Sequence, residues 1–110
     1  MDIKELISAV KKRPEMYLGD VPNISNLSYY LDGFLASNLI NLNNKTDRLF
    51  KYEFHDWIRL RLERKFGINF ENKSDHFKNY IRQVCHSDRK CLDLFIELTD
   101  IYFKELEKNG

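Results

Sequence analysis

The sequence predicts an all-α fold, a single domain over residues 1–110 built from about five helices, with the C-terminal helix central and mostly buried. Three observations carry this. Apolar residues recur at i, i+3, i+4 and i+7 in five separate stretches, the spacing of one helix face. The chain holds only four Gly and two Pro, so helix breakers are few. Its hydrophobic fraction of 43%, with eight Phe and six Tyr in 110 residues, suffices for a core in a domain of this length.

The first helix is expected from a cap at Asp2 to about Lys12, with Ile3, Leu6, Ile7 and Val10 as its apolar stripe. Lys11, Lys12 and Arg13 suit the negative end of that helix. Pro14 biases Arg13 away from the helical region, and Gly19 permits a positive φ. Residues 13–19 therefore read as a hinge, with Met16, Tyr17 and Leu18 expected to pack inward.

Ser25 or Asn26 is expected to cap a second helix reaching about Asn41, its buried face made of Leu27, Tyr30, Leu31, Phe34, Leu35 and Leu42. Gly33 interrupts that helix and suggests a close helix approach, while Asn38 falls inside the apolar arc as a core amide. Residues 41–47 form the most polar stretch and are expected to be a mobile loop. A third helix is placed from about Leu49 to Phe66, stopped by Gly67, with Phe50, Phe54, Trp57, Ile58, Leu62 and Phe66 on one face. Arg61 falls among these apolar residues, where it either snorkels, the favoured reading, or pairs with a carboxylate of another helix.

After a connector over residues 68–73, Ser74 is expected to cap a fourth helix carrying Phe77, Tyr80, Ile81, Val84 and Cys85. The last helix, from about Arg89 to Glu107, is apolar over more than half its circumference, which makes it the central one. Its remaining stripe of Asp93, Glu97, Asp100, Lys104 and Glu107 is almost purely acidic.

Composition narrows the function. No apolar run approaches the ~18 residues that would cross a bilayer, and the first residues lack the apolar segment of a signal peptide, so a cytoplasmic protein with no membrane partner is expected. Cys85 and Cys91 are too few for a disulfide framework and read as buried thiols. Residues 51–90 hold ten Lys/Arg against six Asp/Glu, whereas residues 91–110 hold two against five. Such a polarised chain suits a charged protein partner.

No catalytic set, cofactor or metal site is expected. Cys85 and His86 are adjacent on a helical pattern and point about 100° apart, a poor nucleophile and base pair. His55, His76 and His86 lack the i, i+4 spacing of a zinc helix. The basic middle, with Arg59, Arg64, Lys65, Lys73, Lys78, Arg82, Arg89 and Lys90, offers nucleic-acid binding as the alternative function, although Glu63, Glu71, Asp75 and Asp88 interrupt it.

Two resemblances bear on the role. Lys12 to Gly19 resembles the segment near the start of the type II topoisomerase ATPase domain, as in gyrase B, but the Gly of that segment is Glu15 here. The acidic-Asn helix motif and the Asp-x-Gly-x-Gly loop of that family are missing from the sequence, so an ATPase is rejected. Over most of the chain, the segments Arg13 to Gly19, Leu31-Asp32-Gly33-Phe34, Phe54-His55-Asp56-Trp57 and Cys91 to Leu98 resemble small bacterial helical immunity proteins of polymorphic-toxin and contact-dependent growth-inhibition systems. That resemblance implies a non-enzymatic inhibitor that binds a cognate toxin, with a nuclease domain as the expected partner. The residues assigned to partner binding are the local acidic groups Asp93, Glu97, Asp100, Glu53 and Asp56.

Overall fold

A computed structural model describes residues 1–37 and 44–109. Asn38, Leu42 and the first part of the polar loop expected over 41–47 lie outside the described residues. Within them every regular element is an α-helix: α1 (Ile3–Lys12), α2 (Pro14–Leu18), α3 (Ile24–Ser37), α4 (Lys45–Phe66), α5 (Phe77–Val84) and α6 (Asp88–Asn109).

The first helix is as its pattern predicts. The Asp2 carboxylate accepts the Glu5 N–H at 2.8 Å, and Ile3, Leu6, Ile7 and Val10 are all buried. The hinge differs, because Pro14 occupies the first position of a one-turn helix, where its missing N–H costs nothing. Successive residues on such a turn diverge by about 100°, so three apolar neighbours cannot all face inward. Leu18 is buried, Tyr17 is half-buried against Tyr30, and Met16 is 71% exposed. Gly19 leaves the turn at φ 87°, the conformation its lack of a Cβ permits.

The α3 helix begins two or three residues earlier than expected, with Asn23 as its cap accepting the Asn26 N–H at 2.8 Å. Ile24, Leu27, Leu31 and Leu35 make its buried face, and Tyr30 stays 39% exposed. The expected close approach at Gly33 is absent: it is exposed, and a Cβ there would meet nothing within 4 Å. Gly33→Ala is therefore expected to raise unfolding stability by about 0.5–1 kcal/mol through lower unfolded-state entropy. Urea denaturation checks this.

The α4 helix begins at Lys45, so residues 45–47 are helical rather than loop. Asn44 caps it, accepting the Asp47 N–H at 3.1 Å. Asp47, buried to 3% exposure, accepts the Ile3 N–H at 2.7 Å and so joins the starts of α1 and α4. Burial pushes its carboxyl above the usual range, against the opposing pull of that hydrogen bond. A raised folded-state value means that the folded protein gains from protonation, so the charge itself works against folding at neutral pH. Asp47→Asn keeps an oxygen acceptor and is expected within about 1 kcal/mol of the parent, whereas Asp47→Ala strands the Ile3 N–H and is expected to lose about 1–3 kcal/mol. Chemical denaturation of the two variants separates these outcomes.

Phe66, assigned to the buried face of α4, is 43% exposed. The connector that follows is anchored instead by Phe70, 4% exposed, whose ring lies 4.7 Å from that of Tyr80. Glu63 holds this connector to α4: its carboxylate accepts the Phe70 N–H at 2.9 Å and pairs with Lys73 and Arg59. Arg61 pairs rather than snorkels. Its guanidinium lies 3.5 Å from Glu105 on α6 and 5.9 Å from the centre of the Trp57 indole, whose N–H donates to the same carboxylate at 2.7 Å.

The α6 helix packs against α1, α3, α4 and α5. The core is aromatic where α4, α5 and α6 meet. Phe54 stacks on Phe50 at 4.5 Å and meets Phe77 edge-on at 5.4 Å and Tyr102 at 5.1 Å.

Candidate protein-binding surface

The assigned acidic residues divide between two helices. Asp93, Glu97 and Asp100 are exposed on α6, and each has a cation nearby: Arg89 at 3.9 Å, Lys65 at 3.7 Å and Lys104 at 3.0 Å, respectively. Glu107, further along the helix, pairs with Lys4 of α1. Exposed pairs of this kind contribute about 0–1 kcal/mol to stability. Their effect on the surface is larger, because each cation cancels much of the negative potential a basic partner would meet.

Glu53 and Asp56 present a different surface. Both are exposed on α4, and among the described residues neither is in an ion pair. They lie between two apolar groups that a solvated helix face would not require, Tyr52 at 62% and Leu60 at 49% exposure. Tyr52, Asp56 and Leu60 follow i, i+4 and i+8, a row about 12 Å long at 1.5 Å per residue. Half-buried Leu49 extends the same arc and, with Phe103 and Leu106, lines a groove of about 450 Å³ that is also lined by Asp2, Lys4, Lys45, Thr46 and Glu107. Arg64 closes the other end.

The two acidic groups do not merge. Lys65, which holds Glu97, is nine residues beyond Asp56 and thus about 180° around α4 from it. Glu97 and Asp56 therefore look in different directions, although Glu107 at the other end of the α6 stripe lines the groove beside Leu49.

The basic middle is largely engaged within the molecule. Arg59, Arg61, Lys65 and Lys73 are in ion pairs, and Lys78 lies 4.7 Å above the Tyr29 ring.

His55, beside Asp56 on α4, and His76 form a tight polar cluster, their rings 4.7 Å apart. His55 Nδ1 accepts the Phe77 N–H at 2.9 Å, and His76 Nδ1 accepts the Lys78 N–H at 3.1 Å. Both Nδ1 lone pairs are thus engaged, and each neutral ring carries its proton on Nε2. His76 Nε2–H then donates to Asp32 at 3.0 Å. In this arrangement each Nδ1 lone pair is used within the fold, at the start of α5. His76 is also the true cap of α5, in place of Ser74. Among the described residues, no group of three or more His, Cys, Asp or Glu side chains is placed to hold a metal ion.

Cys91 is buried, Cys85 is partly buried, and both are free thiols. Burial pushes the Cys91 thiol up from its ordinary value. Among the described residues no helix is long and apolar enough to cross a membrane.

Tyr52 and Leu60 went unassigned in the sequence, although their spacing with Asp56 on the polar side of α4 was a readable signal. No protein-family model, curated protein or solved structure matches the chain.

Proposed function

We propose that this is a cytoplasmic immunity protein that binds and neutralises a basic toxin domain, a nuclease in the first instance, by covering its active site or substrate groove without catalysis. The observation that carries the reading is the α4 face: Glu53 and Asp56, held by no ion pair among the described residues, beside exposed Tyr52 and Leu60. A tyrosine beside unneutralised carboxylates has the composition of a binding hot spot. The carboxylates would meet cationic groups that the toxin uses for phosphate, speeding encounter, while the tyrosine and leucine would be desolvated on contact. The groove beside Leu49 gives a partner side chain an apolar floor.

Within the proposed interface we give α4 more weight than α6, because the α6 carboxylates already have cations beside them. Charge reversal at Asp93, Glu97 and Asp100 together is thus expected to weaken toxin binding by less than about tenfold. The test is calorimetric titration of the full chain against whatever toxin domain a neighbouring reading frame encodes. Salt-sensitive binding to DNA or RNA, with none to that domain, would favour the nucleic-acid alternative instead.

A further inference from the structure

Short helices are usually capped by Ser, Thr, Asp or Asn, whose oxygens accept the first free N–H groups at any neutral pH. In α5 the first two N–H groups go instead to imidazole nitrogens: that of Phe77 to His55 on α4, and that of Lys78 to His76. The rings lie 4.7 Å apart, and Phe77 is 1% exposed, so its N–H has no ready access to water.

From this geometry we infer that His55 and His76 form an acid-released cap, which holds the start of α5 while both rings are neutral and frees it when His55 is protonated. Protonation converts the Nδ1 of His55 from an acceptor into a donor facing the Phe77 N–H. The hydrogen bond is lost, a buried donor is orphaned, and a positive charge is placed at the positive end of a helix.

The surrounding charges do not cancel the effect. Asp32 on α3, Asp56 on α4 and Asp75 before α5 favour the charged ring, but burial and then His76 outweigh them and hold His55 below the ordinary imidazole range. Lys51 shares a recess with His55 and Asp32, and Lys78 lies on α5 itself. Because the folded value is depressed, the stabilisation is present above the ordinary imidazole value and is lost as pH falls through the depressed one. The element released would be α5, which covers parts of α3, α4 and α6 with Phe77, Tyr80 and Ile81.

The test is amide hydrogen exchange by NMR on the full chain, corrected for intrinsic rates, at about pH 7.5 and about pH 5. Protection at Phe77 to Ile81 should fall at least about tenfold more than protection in α1 and α6. In the double variant His55→Gln with His76→Asn, which keeps oxygen acceptors that do not titrate in this range, that selective loss should vanish. Equal losses in α1, α5 and α6, or a selective loss that survives in the double variant, would overturn the inference. Should the variant not fold, imidazole nitrogen shifts of the parent decide: an unprotonated His55 Nδ1 at neutral pH that gains its proton as α5 protection falls supports the cap. A proton on that nitrogen at neutral pH refutes it.

Discussion

Phe54→Ala is expected to cost about 3–5 kcal/mol, the largest effect of any single substitution in the core. Phe54 is 0% exposed and is shared by three helices: it stacks on Phe50 within α4, meets Phe77 of α5, and meets Phe95 and Tyr102 of α6. Removing the ring leaves a void that none of these neighbours can fill without leaving its own packing. Against a typical domain stability of about 5–15 kcal/mol, the loss is roughly a fifth or more of the total. Thermal unfolding should fall by roughly 15–30 °C. Phe66→Ala supplies the contrast, because that ring is 43% exposed at the end of the same helix and its loss is expected to cost less than about 1 kcal/mol. Comparable losses at both positions would place the core elsewhere.

The second large effect belongs to the proposed interface. Tyr52→Ala combined with Asp56→Lys is expected to weaken toxin binding by at least about 100-fold, or ~2.8 kcal/mol. The tyrosine is a rigid anchor, and the lysine would set a like charge against a basic partner. Both side chains are exposed and sit on the face of α4 opposite its aromatic contacts, so helicity and melting temperature should stay near those of the parent. The rate of association should respond mainly to the charge change, and the rate of dissociation to the loss of the ring.

Local chemistry made much of this fold readable. Asp2 and the stripe Ile3, Leu6, Ile7 and Val10 specify α1 from within twelve residues, and the all-α class follows from the same periodicity repeated along the chain. What escaped was set by distant partners. Arg61 could be placed on the inward arc of α4, but the carboxylate it meets is Glu105, 44 residues away. The cap of α5 depends on His55, 22 residues before the N–H it accepts, and no short motif encodes that. The inward reading of Met16 failed for a simpler reason: one helical turn cannot bury three consecutive side chains on one side.

The candidate surface was half legible. Glu53 and Asp56 were identifiable as local acidity, but whether a carboxylate is free or paired depends on which cations the fold brings near it. Lys65 comes to Glu97 only because α4 and α6 pack together. Tyr52 and Leu60 lie off the buried stripe of α4, so the helical periodicity that marks the core does not single them out.

The most direct measurement is calorimetric titration of the purified protein with whatever toxin domain a neighbouring reading frame encodes, the proposed partner, run in parallel with the Tyr52→Ala, Asp56→Lys double variant. The account predicts a Kd in the nanomolar range, about −12 kcal/mol, for the parent and at least about a 100-fold loss for the variant. No binding by the parent at micromolar concentrations, or equal affinity of parent and variant, would contradict it.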